Sequence, residues 1–223
     1  MSATFDAILF DLDGVLIDSR TPIARCINHA LRALGFPEQD ERSLSRYIGP
    51  PLHDAFAELL ESVGADPARA WEAVGLYRER YEWACIAETL VVPGIEDVLK
   101  TLAEHQRLAV ATSKPVEYAV RILDALGLTR WFGSVAGPSM DTLSEPKAVT
   151  AARALDALQN PKRAAIVGDR LHDVAAGKAN GLFTIGVLWG IGDRAELEAA
   201  GADVVVAEPR ELCSLASRAA PRS

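Results

Sequence analysis

Residues 5–19 read FDAILFDLDGVLIDS, and this stretch decides how the rest of the chain is read. Phe5 and the run Ala7–Phe10 suit a buried strand. Two carboxylates, Asp11 and Asp13, then flank Leu12, and Gly14 follows where the backbone can turn tightly. Carboxylates are costly in an apolar interior unless they are paired or bind metal. The segment therefore reads as a strand ending at a site. Neighbouring carboxylates can hold a hard cation such as Mg²⁺ through oxygen. Two acids in different surroundings can also divide nucleophilic attack from proton transfer. Taken alone, the pair reads equally well as an acidic turn with a structural role.

Downstream of this stretch, residues 15–89 read as helices without a convincing strand. Thr21-Pro22 signals one helix start, with Ile23, Ile27, Ala30, Leu31 and Leu34 on one face and Gly35 as its stop. Pro50-Pro51 opens a second helix, and Asp66-Pro67 a third running past Trp71, Val74 and Tyr81. From Val92-Pro93-Gly94 onward the character changes. Strands are expected at 107–112, 132–137, 163–168, 183–189 and 203–207, with helices between them. Such alternation predicts an α/β fold: a Rossmann-like parallel sheet covered by helices, interrupted by a small all-helical insertion. The expected division is a core of 1–15 and 89–223 around an insertion of 16–88. Only 219–223 reads as a frayed tail.

The 223 residues are 49% hydrophobic and 24% charged, the balance of an ordinary globular protein. A formal charge of −8 argues against a polymeric nucleic-acid partner, which would call for a basic patch. An anionic small molecule stays compatible, since one metal ion and one lysine can dominate a small pocket. The cysteines at 26, 85 and 213 are odd in number and form no CxxC, which fits inert thiols in a reducing compartment. With no secretory signal and no stretch approaching a membrane span, the expectation is a cytoplasmic protein without a membrane partner. The apolar helical stripes of the insertion are compatible with either a monomer or a homodimer.

Ligands of open parallel sheets sit beyond the carboxyl ends of the strands. Asp11 and Asp13 follow the first apolar run, Thr112 and Ser113 the second, and Asp169 the run at 163–168, while Lys147 opens a helix. Asp11 can attack phosphorus, forming an acyl-phosphate that water later hydrolyses. Asp13 can protonate the leaving oxygen and then deprotonate that water. Thr112 can donate to a phosphoryl oxygen, and Lys147 can offset crowded anionic charge. Asp169 can complete a metal site, with Asp173 as a further ligand or a supporting group behind it. Each has a bland alternative: a strand-end hydroxyl for Thr112, a helix-start acid for Asp173, a solvated lysine for Lys147.

In order, these residues resemble the haloacid dehalogenase-like hydrolases. DLDGVLIDS (11–19) is similar to the nucleophile motif DxDGxxxDS, LAVATS (108–113) to the strand ending in Thr or Ser, Lys147 to the lysine motif and GDRLHD (168–173) to GDxxxD. The resemblance implies a phosphoaspartyl mechanism with Asp11 as nucleophile and Asp13 as acid/base. It implies Mg²⁺ held by the Asp11 side chain, the Asp13 backbone carbonyl and Asp169, with 16–88 as a mobile cap. Asp13 sets the chain apart from the dehalogenase branch, and the absence of lysine between Gly14 and Thr89 from the phosphonate-cleaving branch. YIGPPLHDAF (47–56), ATSKP (111–115), GDRLHDVAAGKANG (168–181) and GVLWGIGDRAELEAAGAD (186–203) look most like the phosphoglycolate phosphatase and 5′-nucleotidase group. Ser144-Glu145-Pro146, just before Lys147, departs from the pattern.

The expected function is Mg²⁺-dependent hydrolysis of a small phosphate monoester, with phosphoglycolate, a nucleoside monophosphate and a sugar phosphate all open. A phosphomutase and a non-catalytic phosphate-binding protein are the alternatives. Candidates for contacting phosphate or substrate are Ser113 and Lys114, at the start of a helix whose free amides favour anions, and Arg46 and His53 in the insertion.

Overall fold

The structure, a computed structural model, describes residues 5–142 and 144–217, so the tail expected at 219–223 lies outside the described residues. Its strands are β1 (Ala7–Phe10), β2 (Ile17–Asp18), β3 (Leu90–Val91), β4 (Arg107–Ala111), β5 (Ser134–Ala136), β6 (Ala164–Gly168), β7 (Phe183–Val187) and β8 (Val204–Val206). Its α-helices are α1 (Arg20–Ala33), α2 (Leu52–Ser62), α3 (Ala70–Ala87), α4 (Ile95–Ala103), α5 (Val116–Ala125), α6 (Lys147–Ala157), α7 (Leu171–Ala179), α8 (Arg194–Ala200) and α9 (Glu211–Ser217). The chain divides into two compact units, one of Met1–Ile17 with Val91–Ser223 and the other of Asp18–Leu90.

The first unit is an α/β fold around a six-stranded sheet of order β5-β4-β1-β6-β7-β8, every pairing in it parallel. The strands are short and apolar on both faces, as a sheet covered on both sides requires; β1 and β6 are buried along their whole length. Ala7, Leu9, Ala109, Ala111, Ala136, Ala151, Ala154 and Ile166 form one continuous core, and alanine on facing surfaces lets α6 approach the sheet closely. The strand order reverses around β1, with β4 on one side and β6 on the other. Such a switch point leaves a crevice beyond the carboxyl end of the central strand.

The second unit is helical. Phe56 meets Tyr77 edge-on at 5.9 Å, and Tyr77 stacks on Tyr81 at 5.1 Å. Arg80 bonds the Glu88 carboxylate at 2.6 Å and the Cys26 thiol at 3.3 Å. Burial pushes that thiol up to about 11, and Arg80 opposes the rise, which leaves Cys26 unreactive at neutral pH. Neither Cys26, Cys85 nor Cys213 is bridged.

Apart from strands that begin or end a residue or two inside the expected ranges, local structure differs from expectation in three places. Helix α1 starts at Arg20 rather than after a Thr21 cap: the Asp18 carboxylate accepts from the Arg20 amide at 3.2 Å, and proline is tolerated in the first turn, whose amides lack intrahelical acceptors. The third helix begins with a 3₁₀ turn at Pro67–Arg69, capped by Asp66, before α3 proper. Finally, Ile17–Asp18 and Leu90–Val91 pair as a two-stranded ribbon where the chain passes between units; two-residue strands are too short to carry a readable alternation. No described helix is long and apolar enough to cross a membrane.

Candidate active site

Asp11 is the first residue past β1, Thr112 the first past β4 and Asp169 the first past β6. Parallel register carries all three to the same end of the sheet, and the Asp11 amide continues the ladder by donating to the Val167 carbonyl at 2.9 Å. One turn into α7, Asp173 joins them. Oxygens of Asp11, Asp169 and Asp173 all lie within 4.8 Å of one another, and all three residues are buried. Gly14 makes the approach possible. Its φ of +84° suits glycine, and a Cβ there would lie 2.2 Å from Asp169 Oδ2.

A buried lysine answers the cluster from within the protein. Lys147 Nζ sits 2.8 Å from Asp11 Oδ1 and 2.5 Å from Asp173 Oδ1, with its side chain only 7% exposed. Lys147 is therefore not a solvated lysine. Its position rests on the segment before it: Glu145 accepts from Thr150 Oγ1 at 2.9 Å and from Arg153, which also donates to the Gly137 carbonyl at 3.0 Å. The unusual Ser144-Glu145-Pro146 sequence thus tethers the entry to α6 to the end of β5.

Three buried carboxylates against one ammonium leave excess negative charge. Burial pushes Asp11 up to about 7, opposed by Lys147 and reinforced by Asp173. Asp169 is pushed up to about 8, again by burial first, then by Asp173 and Asp11. Burial alone would lower the Lys147 pKa, but Asp11 and Asp173 outweigh it and hold it above the ordinary lysine value. Among the described residues, Asp169 Oδ1 is buried without a hydrogen-bond partner, while Asp11 Oδ1 and Asp173 Oδ1 face the charge of Lys147. Hard oxygen donors, surplus charge and an unpartnered carboxylate oxygen fit a divalent cation of the Mg²⁺ type.

The remaining candidates fall into two groups. Asp13 Oδ2 pairs with Lys114 Nζ at 3.1 Å, and both side chains are largely buried. Thr112 Oγ1 accepts from the Lys114 amide at 3.1 Å, which shapes the turn and leaves the hydroxyl proton to donate. Ser113 lies half-buried in that turn. Arg46 and His53, by contrast, belong to the helical unit, where neighbours hold them. Arg46 bonds the Tyr47 hydroxyl at 2.6 Å, and the His53 ring packs 4.6 Å from Trp71 with its Nδ1 3.2 Å from Asp54.

Some residues that build the site escape a reading by side-chain chemistry. The Ile191 amide donates to Asp169 Oδ2 at 2.6 Å. Glu196 Oε1 accepts from Arg170 Nε at 2.9 Å and the Leu171 amide at 2.8 Å, fixing the first turn of α7. A backbone amide has no sequence signature. The flanking glycines in WGIGD (189–193) were the available signal.

Residues 8–187 match the model of a protein family described as haloacid dehalogenase-like hydrolase. The chain belongs to the haloacid dehalogenase-like hydrolases, among their phosphatases. It is 39% identical over 194 residues to a 5′-nucleotidase of Pseudomonas aeruginosa, covering 86% of each chain. It is 33% identical over 210 residues to a phosphoglycolate phosphatase of Aquifex aeolicus, covering 93% of this chain and 95% of that one. The crystal structure of a predicted phosphatase from Clostridium acetobutylicum superposes with a TM-score of 0.84 at 34% identity, over 94% of this chain and 97% of that one.

Proposed function

We propose that this hydrolase cleaves small phosphate monoesters in a Mg²⁺-dependent reaction, through a phosphoaspartyl intermediate on Asp11. The observation that carries the reading is the buried cluster of Asp11, Asp169 and Asp173 around Lys147, at the switch point of the sheet. Asp11 and Asp169 would hold the ion, with Asp173 as a further ligand or a brace for Lys147, and the Asp13 backbone carbonyl is assigned to it by family resemblance. Bound there, Mg²⁺ would offset phosphate charge and take the place of protons that burial leaves on Asp11 and Asp169.

Lys147 holds Asp11 Oδ1, so Oδ2 is assigned to phosphorus. As the Asp11 O–P bond forms, the ester P–O bond breaks and Asp13 gives its proton to the leaving oxygen. Water then attacks the phosphoryl group, Asp13 takes a proton from it, and phosphate leaves with Asp11 regenerated. Thr112 donates its hydroxyl to a phosphoryl oxygen, and Lys114 orients Asp13. Selection among esters is assigned to the helical unit, because the groups gathered by the sheet address phosphate alone.

The test is phosphate release by purified protein from phosphoglycolate, nucleoside monophosphates and sugar phosphates, with Mg²⁺ or with chelator. Release from at least one ester only with Mg²⁺ is expected. Metal-independent release, or a sugar phosphate isomerised without free phosphate, would overturn the reading.

Linkage gives a second expectation. Because the folded-state pKa values of Asp11 and Asp169 lie above 3.8, metal-free stability should fall as pH rises from about 4 through 7 to 8, then level off. A bound cation replaces those protons, so Mg²⁺ should bind more tightly at pH 8.5 than at pH 6. At about 100 times its Kd it should add roughly 2.7 kcal/mol of stability. Thermal unfolding with and without Mg²⁺ at both pH values checks this, and a Mg²⁺ shift that is larger at the lower pH would contradict it.

A further inference from the structure

We infer that the loop Trp189–Gly192, which follows β7, is a positioning device for Asp169, and that Trp189 ties it to the turn behind the nucleophile. The inference rests on the proposed Mg²⁺-dependent reading of the site.

Asp169 sits at a strand end with two chemically equivalent oxygens, and the protein treats them differently. Oδ2 accepts the Ile191 amide at 2.6 Å, whereas the buried Oδ1 has no hydrogen-bond partner among the described residues. The loop also confines the carboxylate by shape. A Cβ on Gly190 would stand 2.3 Å from both Cβ and Oδ2 of Asp169, and one on Gly192 would stand 2.1 Å from its backbone oxygen. Neither glycine has a positive φ, so the requirement there is for space. Gly14, in the turn after β1, closes on the same Oδ2. The carboxylate is thus clamped between the turn after β1 and the loop after β7, with Oδ1 left for a cation.

Trp189 joins the two sides of this clamp. Its indole N–H donates to the Val15 carbonyl at 3.1 Å, spanning 174 positions of sequence. Gly14 and Asp13 immediately precede Val15, so the bond sets the loop that holds Asp169 against the segment that carries the nucleophile and the acid/base. Supporting partners of metal-ligating groups orient them, and losing one typically weakens metal affinity by about 10- to 100-fold. Trp189 acts through Asp169, and is a positioning residue in this sense.

Trp189→Phe keeps the ring and removes the N–H. Mg²⁺ binding alone, read without substrate by calorimetry and by the Mg²⁺-induced shift in thermal midpoint, should weaken by roughly 10-fold or more. At saturating Mg²⁺ the KM for the ester found in the phosphate-release screen should return to the wild-type value, a split that a general packing defect would not give. Gly190→Ala should weaken Mg²⁺ further; if it fails to fold, Trp189→Phe alone decides. Mg²⁺ affinity within twofold of wild type in folded Trp189→Phe would overturn the inference. Failure of the underlying reading looks different: the wild type itself would then show neither Mg²⁺ binding nor Mg²⁺-dependent release.

Discussion

Asp11→Asn is expected to lower kcat by about 10⁴- to 10⁶-fold, the scale on which loss of a nucleophile is felt. Asparagine keeps the shape of the side chain and can still accept from Lys147, so the fold should survive. It also removes a group whose ionisation opposes folding. With a folded-state value of about 7 against 3.8 unfolded, Asp11 makes the metal-free native state progressively less stable as pH rises from about 4 to 7, and that loss is complete at higher pH. The variant should therefore be at least as stable as wild type at pH 8 without Mg²⁺, while being inactive. Loss of activity together with undiminished stability separates a chemical role from a structural one. Substantial turnover in the variant, or unfolding at pH 8, would place the role of Asp11 elsewhere.

Lys147→Met should act in the opposite sense on stability. The ammonium lies between Asp11 and Asp173, whose side chains are as secluded as its own. Removing one partner from a buried ion group leaves uncompensated charge and costs about 3–5 kcal/mol. Three buried carboxylates would then face one another without the Lys147 ammonium between them. The deficit should be greatest at pH 8 in the absence of metal, shrink as falling pH protonates the acids, and shrink also on adding Mg²⁺. Activity at saturating Mg²⁺ should remain reduced by about 10²- to 10³-fold, as expected when a donor to developing anionic charge is lost. Denaturant unfolding at two pH values, with and without Mg²⁺, measures the first effect. A midpoint equal to wild type under all four conditions would contradict it.

These two variants also mark what the residues alone could convey. Asp11, Thr112 and Asp169 are legible because each ends an apolar run, and a parallel sheet delivers such positions to one end. Asp173 follows from its spacing one helical turn on. Lys147 is different in kind. A lone lysine at a helix start reads as solvated, and its burial depends on Glu145, Thr150 and Arg153 drawing the preceding loop inward. The Ile191 amide and the indole of Trp189 were less accessible still, since their partners are distant in sequence and one of them is backbone. In the helical unit, Arg46 and His53 stand out by their place at YIGPPLHDAF (47–56), Arg46 just before it and His53 within it. Their contacts with Tyr47, Asp54 and Trp71 are local and by themselves assign no ligand.

Phosphate is expected to pass through Asp11. Rapid acid quench of wild type during turnover of its best ester with Mg²⁺, followed by peptide mass spectrometry, tests it directly. The expected result is one phosphoryl group on the peptide containing Asp11, absent with chelator and absent in Asp11→Asn. Steady turnover with a phosphoryl group on any other residue, or persisting in Asp11→Asn, would contradict it.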